Sequence, residues 1–252
     1  MNLSGKIALV TGAGRGIGRA LALEFAANGA SVVACARTRS DIEETAALVR
    51  KAGGRCCPVP ADVSDPRQVD ALVDAAVREF GRIDVLFNCA ARIPVINGLW
   101  ETDRDAWWDE LAVNLRGPML CCRAVLPGMM ARNEGVIINM AGGSNIPGRT
   151  SYCCSKIALN RLTELLAREL ATVGSPVVVF GLGPGLVKTR RSLREAETPE
   201  GVRWNPGTKK QFAEGKDRPP EDCAKAAVIL LGRAGPEVHG KIFATGEVLN
   251  PR

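Results

Sequence analysis

The feature that most constrains this chain is a glycine-rich turn between an apolar run and an amphipathic segment. Residues 7–10 are apolar and predict a buried strand, while the apolar residues of 20–26 recur at helical spacing. The turn places Gly12, Gly16 and Gly18 in a Gly-x-x-x-Gly-x-Gly pattern, which differs from the common Gly-x-Gly-x-x-Gly spacing. Glycines let a ligand approach the backbone, and the free N–H groups at a helix start attract phosphate. The sequence therefore predicts a pyrophosphate-binding turn, the alternative being a loop that merely requires glycine.

Strands and helices alternate along the rest of the chain. Seven short apolar runs separated by helical segments predict an α/β fold of the Rossmann type, a doubly wound, seven-stranded parallel sheet flanked by helices. We expect one dinucleotide-binding domain over residues 1–252. Residues 105–130 predict a long helix with a bend at Gly117-Pro118. Residues 190–220 show weak periodicity and predict a mobile substrate-binding flap.

Composition argues against several other classes of protein. No apolar run reaches the roughly 18 residues of a membrane-spanning helix, so we expect a cytoplasmic protein without a membrane partner. Nine cysteines form no Cys-x-x-Cys pair and His239 is the only histidine, which predicts no metal site and no disulfide framework. Residues 188–218 contain nine Lys/Arg and five Asp/Glu, and charges elsewhere are mixed, a pattern unlike a nucleic-acid binder. This local excess suggests an anionic substrate, unless the segment is only a solvated surface.

The end of the second predicted strand favours NADPH over NADH. An acidic residue often binds the ribose 2′-hydroxyl at this point, but here Ala36 is followed by Arg37. Arg37, flanked by Arg15 of the glycine turn, is suited to a 2′-phosphate, which a carboxylate would repel. The alternative is that both arginines are solvated. After the third strand, Asp62 is either an adenine contact or a cap of its own turn.

The strongest predicted helix spans residues 151–171. Tyr152, the only tyrosine, and Lys156 are four residues apart and therefore share one face of this helix.

With these motifs in place, nearly the whole chain resembles the classical short-chain dehydrogenase/reductase family. The resemblance implies an NAD(P)-dependent oxidoreductase acting on an alcohol/carbonyl pair. The matching motifs follow the family's order and separation: Thr11 to Gly18, Asp62, Asn88-Cys89-Ala90-Ala91, Asn114, Tyr152-Cys153-Cys154-Ser155-Lys156, and Pro184-Gly185 with Thr189.

The resemblance also implies a role for each residue. Tyr152 would protonate the carbonyl oxygen, Lys156 would hold the nicotinamide ribose and lower the pKa of the tyrosine, and Asn114 would position a water in a proton relay. The physics agrees with this pairing, because a phenol titrates near pH 10 and a nearby ammonium typically lowers such a pKa by about one to three units, toward a range useful for acid–base catalysis. The helices that carry Asn114 and Tyr152 would form the interface of a homotetramer or homodimer. The residues implied to bind the cofactor are Gly12, Gly14, Arg15, Gly16, Ile17, Gly18, Arg37, Asp62, Val63, Asn88, Ala90, Tyr152, Lys156, Pro184, Gly185, Val187 and Thr189.

One departure from the family bears on catalysis. The usual catalytic serine lies thirteen residues before the tyrosine, a position that Asn139 occupies here. Alignment on the end of the preceding strand instead puts Gly142 there, with a loop about three residues shorter. The only hydroxyl in this loop is Ser144, which we include among the candidate catalytic residues. Otherwise Tyr152, with a backbone N–H or Asn145, must polarise the carbonyl, and loss of one such donor commonly costs ~10²–10³ in rate.

The sequence therefore predicts an NADPH-dependent carbonyl reductase, or the reverse alcohol dehydrogenase, for a small or medium organic substrate. The displaced serine leaves open a non-catalytic or weakly active NADP(H)-binding protein. A dehydratase or epimerase built on the same fold is a further alternative.

Overall fold

Seven parallel strands form the central sheet of the computed structural model, which describes residues 2–92, 96–143 and 145–251, with only the backbone at residue 191. The strands are β1 Ile7–Thr11, β2 Ser31–Ala36, β3 Arg55–Pro60, β4 Val85–Asn88, β5 Val136–Met140, β6 Val178–Gly183 and β7 Ile242–Ala244. The sheet order is β3-β2-β1-β4-β5-β6-β7, and every neighbouring pair is parallel. This confirms the predicted fold class.

Helices cover both faces of the sheet, because successive side chains of a buried strand point to opposite sides. The helices are α1 Gly16–Ala27, α2 Arg39–Lys51, α3 Pro66–Phe80, α4 Arg104–Leu111, α5 Gly117–Ala131, α6 Thr150–Thr172, α7 Arg190–Glu197, α8 Pro199–Trp204, α9 Gly207–Ala213, α10 Pro220–Leu231 and α11 Thr245–Leu249. Val10 and Phe87 face a core shared with α1, α2 and α10, while Leu9 and Leu86 face a core shared with α3, α5 and α6. All four side chains are completely buried, and each such burial stabilises the fold by about 1.5–3 kcal/mol.

The structure adds detail to two expectations about the helices. The long helix predicted over residues 105–130 is continuous, and in it α4 and α5 are joined by a π-helical turn, Ala112–Arg116, so the irregularity lies just before the bend expected at Gly117-Pro118. The segment 190–220, predicted from its weak periodicity to be a mobile substrate-binding flap, contains α7, α8 and α9, and its mobility stays a prediction. Each of these three helices has eight residues or fewer, too short to show a clear helical period.

The strand order determines where a ligand site lies. The chain moves outward from β1 to β3, and β4 then returns to the other side of β1, so β1 and β4 flank a topological switch point. In open parallel sheets, ligands bind in the crevice beyond the carboxyl ends of the strands at this point. The register pairs Val10 with Phe87, which brings the chain after Thr11 and the chain after Asn88 to the same edge. Among the described residues, none of the helices combines the length and apolar character that a membrane span requires.

Candidate active site

The glycine-rich turn after β1 is packed so closely that side chains would not fit at three of its glycines, Gly12, Gly14 and Gly18. Gly12 has φ +69°, and a Cβ atom there would lie 2.8 Å from the Ala90 Cα. A Cβ at Gly14 would lie 2.8 Å from the Asp41 Cβ, and one at Gly18 would overlap the carbonyl of Gly12. The turn leads into α1, whose first N–H groups have no partner within the helix. This cradle of bare backbone fits the pyrophosphate of a dinucleotide.

The end of β4 completes one side of this cradle. The Thr11 hydroxyl oxygen accepts hydrogen bonds from the N–H groups of Cys89 and Ala90, each at 3.1 Å, and so holds Ala90 against Gly12. The side chain of Asn88 instead points into the protein, where its Nδ2 donates to Asn139 Oδ1 at 2.9 Å. Within the part of the chain that the structure describes, the buried Asn88 Oδ1 has no hydrogen-bond partner.

At the other end of the crevice, Asp62 both caps its turn and faces Arg37. One carboxylate oxygen accepts from Ser64 N at 2.9 Å and from Ser64 Oγ at 2.6 Å. The other lies 3.8 Å from Arg37 Nη1, in an ion pair whose arginine side chain is 63% exposed. Val63 is buried and packs on Gly117 at the start of α5, so its side chain serves the core. Arg37 is therefore open to solvent at the carboxyl end of β2, where the 2′-substituent of a ribose is expected.

The first two turns of α6 bring Tyr152 and Lys156 together. Lys156 is only 2% exposed, and its Nζ donates to the Met140 carbonyl at the end of β5 at 2.7 Å. The same Nζ lies 5.8 Å from the centroid of the Tyr152 ring. Burying an ammonium is costly unless it is paired or hydrogen-bonded. The fold therefore places a positive charge beside a phenol at this edge of the sheet.

Asn114 lies in the π-helical turn and joins three parts of the site. Its Oδ1 accepts from Arg92 N at 2.8 Å, and its Nδ2 donates to Arg92 O at 2.8 Å. The side chain is completely buried, and Nδ2 also lies 3.4 Å from Ser155 Oγ of α6. Single π-helical turns are frequent at functional sites because they change the register of backbone carbonyls. Asn114 thus links the chain after β4 to the helix that carries Tyr152.

Gly142 is the position that alignment on the end of β5 gives for the usual catalytic serine. A Cβ atom on Gly142 would lie 2.5 Å from Tyr152 Oη and 2.9 Å from Lys156 Cγ, so this glycine packs directly on the predicted acid–base pair. Asn139, the position reached by counting thirteen residues, lies inside the sheet and donates to Thr163 Oγ1 at 2.9 Å. Ser144, the other candidate, falls outside the described residues.

The chain after β6 lies over the glycine turn. Pro184-Gly185 follows β6, with Gly185 at φ +73°, and Val187 then forms a parallel bridge with Arg218. Thr189 caps α7 by accepting from Ser192 N at 3.1 Å. Its methyl group lies 3.6 Å from where a Cβ of Gly16 would be.

Helices α7 and α8 are attached to the loop before α6. Arg149 and Glu195 form an ion pair at 3.0 Å with side chains only 14% and 18% exposed. The indole of Trp204 packs on Gly148, where a Cβ would lie 2.6 Å from Trp204 Cγ. These two helices therefore lie beside the loop that leads to Tyr152.

One polar residue of the site was missed by sequence reasoning. Glu110 of α4 is completely buried, and its carboxylate accepts from Ser151 Oγ and, at 3.3 Å, from Asn114 Nδ2. Burial raises the pKa of this carboxyl to about 7, partly offset by the hydrogen bond from Ser151 and by the charge of Arg149. Its signal was its position four residues before Asn114, on the same helix face.

The structure thus gathers the predicted residues from β1, β4, β6 and α6 at one edge of the sheet. The glycine cradle, the exposed Arg37 and the Tyr152–Lys156 pair fit the phosphates, ribose and nicotinamide of a dinucleotide in that order. Across the described ranges, no group of His, Cys, Asp and Glu has the composition of a metal site.

Known proteins with similar sequences and structures are short-chain dehydrogenases and reductases. The family model described as short chain dehydrogenase matches residues 6–199. The chain is 40% identical to the short-chain reductase protein NovJ of Streptomyces niveus over 251 residues, covering 97% of this chain and 91% of the relative. Among solved structures, an NAD⁺-bound xylitol dehydrogenase has a TM-score of 0.87 at 27% identity, covering 97% and 98% of the two chains. A metagenomic short-chain oxidoreductase in complex with NADP has a TM-score of 0.78 at 28% identity, covering 96% and 97%.

The matched residues span the glycine cradle, Asn114 and the Tyr152–Lys156 pair, and the two solved structures cover 96% and 97% of this chain. This chain therefore belongs to the short-chain dehydrogenase family, and it is an NAD(P)-dependent oxidoreductase of alcohol and carbonyl groups.

Proposed function

We propose that the protein is an NADPH-dependent carbonyl reductase, also able to run the reverse alcohol oxidation, with Tyr152 as its proton donor. The observation that carries this proposal is the buried Lys156 ammonium, 5.8 Å from the Tyr152 ring and anchored to the Met140 carbonyl. A neighbouring positive charge favours the phenolate, so it makes a phenol a stronger acid.

Each residue of the site has a distinct role in this proposal. Tyr152 gives its proton to the carbonyl oxygen of the substrate, and Lys156 stabilises the phenolate that remains. The nicotinamide cofactor supplies the hydride when bound. Asn114 holds the chain after β4 against α6 through Arg92 and Ser155, which fixes the distance between the cradle and the proton donor.

The proposed preference for NADPH rests on Arg37. Its guanidinium is 63% exposed at the end of β2, and its partner Asp62 is 3.8 Å away, a separation at which a surface ion pair contributes little. A 2′-phosphate would give Arg37 a partner of higher charge and bidentate geometry. We expect Arg37→Ala to weaken NADPH binding at least tenfold and to leave NADH binding unchanged; equal losses would contradict this assignment. Arg39→Ala, two residues further along the chain at the start of α2 and 66% exposed, is the matched control.

Two further parts of the proposal concern the substrate and the assembly. The excess of positive charge in residues 188–218 includes Arg190 and Arg194 on α7, which supports an anionic substrate.

Met119 on α5 and Ile157 and Leu165 on α6 are between 38% and 51% exposed, which supports a homodimer or homotetramer formed through these helices. We also propose that the enzyme works in the cytoplasm.

A direct test follows NADPH absorbance with a panel of neutral and anionic ketones. The proposal predicts turnover with the wild type and at least a hundredfold loss in Tyr152→Phe, which keeps the ring and removes the proton. Exposed Trp108→Phe on α4 serves as a control for replacement of an aromatic side chain. Turnover that survives in Tyr152→Phe would contradict the assigned proton donor.

The glycine at position 142 favours an enzyme with a low turnover rate. With no side chain at this position, Tyr152 polarises the carbonyl without the usual serine beside it. The reductase and dehydrogenase names of the relatives do not favour a protein without catalysis. Tight NADPH binding without turnover of any ketone or alcohol would nevertheless support that alternative.

A further inference from the structure

A ring of hydrogen bonds encloses the turn of α6 that carries Tyr152. Ser151 is the residue just before Tyr152, and its Oγ donates a hydrogen bond to one carboxylate oxygen of Glu110. Its other oxygen lies 3.3 Å from Asn114 Nδ2, which is also 3.4 Å from Ser155 Oγ. Ser155 Oγ in turn donates to the Tyr152 backbone carbonyl at 2.7 Å. One carboxyl group therefore holds this turn from both sides.

The Asn114 amide is shared within this ring. It has two N–H groups, and one is taken by the Arg92 carbonyl at 2.8 Å. The second is divided between Glu110 Oε1 and Ser155 Oγ, which lie at nearly equal distances. An ionised carboxylate attracts this N–H more strongly, since hydrogen bonds to a charged acceptor are about twice as strong as neutral ones.

Charged groups from each neighbouring segment face the Glu110 carboxyl. Arg149 precedes α6 and Arg92 follows β4, and both favour the ionised form. Each arginine also has another partner, since Arg149 pairs with Glu195 of α7 and Arg92 pairs with Asp109 of α4 at 2.8 Å. Burial opposes ionisation and is the larger effect, so the carboxyl changes charge near neutral pH.

We propose that Glu110 is a positioning residue whose ionised carboxylate holds the Tyr152 turn and the Asn114 amide in the arrangement needed for proton transfer. This proposal rests on the proposed reductase activity. When Glu110 is protonated, one oxygen becomes a donor, Ser151 must accept instead of donate, and the Asn114 N–H shifts toward Ser155. The Tyr152 turn is then held by neutral bonds only, and kcat falls while KM changes little.

Glu110→Gln is the variant that separates ionisation from structure. Its amide oxygen accepts from Asn114 and its amide nitrogen donates to Ser151, so glutamine reproduces the protonated carboxyl with the same shape. Asp105→Asn, which removes an exposed carboxylate from the same helix, is the matched control. For each variant, kcat is divided by the kcat of the wild type at the same pH. This ratio removes the pH dependence of the chemical step that the proteins share.

The expected ratio for Glu110→Gln is close to one at pH 5.5 and falls three- to tenfold by pH 8.5, whereas Asp105→Asn stays near one throughout. A ratio for Glu110→Gln that is independent of pH would mean that the residue has only a structural role and would overturn the inference. If the wild type reduces no ketone at any pH, the proposed function fails and the inference fails with it. Turnover by the wild type with a flat ratio overturns the inference alone.

Discussion

The variant Gly142→Ser gives opposite expected effects on activity from the family's sequence pattern and from the packing seen in the structure. From the pattern alone, Gly142→Ser supplies a missing donor and raises activity by ~10²–10³. In the structure, a Cβ at this position lies 2.5 Å from Tyr152 Oη, 2.9 Å from Lys156 Cγ and 3.1 Å from Lys156 Cδ. Ordinary contact begins near 3.4 Å, so the phenol must move by about 0.9 Å.

A displacement of this size has a large kinetic effect. Misplacing a catalytic group by about 1 Å commonly costs ~10²-fold in rate, and overpacking a filled site costs about 1–3 kcal/mol in stability. We therefore expect both Gly142→Ser and Gly142→Ala to lower kcat about a hundredfold, with a smaller change in NADPH affinity because the glycine cradle is untouched.

The assay is NADPH consumption with a ketone that the wild type reduces, together with circular dichroism to confirm folding. Gly143→Ala is the matched control, because a Cβ there meets only the flexible tip of Ile146 among the described residues. We expect this control to retain activity within about twofold. An increase in activity in Gly142→Ser, or an unchanged rate, would refute the reasoning from the packing of Gly142 on Tyr152.

Two further predictions follow from the same geometry. Burial raises the pKa of Glu110 from 4.5 to about 7, so the folded state favours its protonated form; this contribution to stability is complete below pH 4.5 and is lost as pH rises toward 7. Urea unfolding should show the wild type losing up to about 3 kcal/mol over this range relative to Glu110→Gln, and parallel curves for the two proteins would argue against it. Gly12→Ala should lower the affinity for NADPH at least tenfold, since its Cβ would strike the Ala90 backbone, whereas Gly53→Ala, with φ +83° and no atom within 4 Å of its Cβ, should cost stability alone. Equal NADPH affinity in these two glycine variants, measured by fluorescence titration, would exclude close packing as the reason for glycine at position 12.

The sequence predicted the sheet because strands such as residues 7–10 are buried on both faces and stand out as apolar runs. The shared face of Tyr152 and Lys156 also followed from helical spacing, and the structure confirms that the two side chains lie close together. These features depend on the spacing of residues along one strand or helix, which can be read from a single sequence.

Features that depend on tertiary contacts were predicted poorly. The π-helical turn at Asn114 leaves no sequence period of its own, and α7 to α9 are each too short to show one. Its spacing places Glu110 on the same helix face as Asn114, but the contact with Ser151, 41 residues later in the chain, is visible only in the structure. Whether Asp62 caps its turn or contacts a ligand was also undecidable from sequence, and the structure shows the cap at Ser64.

The proposed function depends on hydride transfer to a carbonyl carbon with Tyr152 as the proton donor. This step can be followed with NADPH deuterated at the transferred position, by tracing the isotope into the alcohol product with mass spectrometry and NMR. We expect one deuterium on the former carbonyl carbon with the wild type, and at least a hundredfold less labelled alcohol with Tyr152→Phe over the same time. Product formed without deuterium at that carbon, or equal labelling by the two proteins, would contradict the proposal.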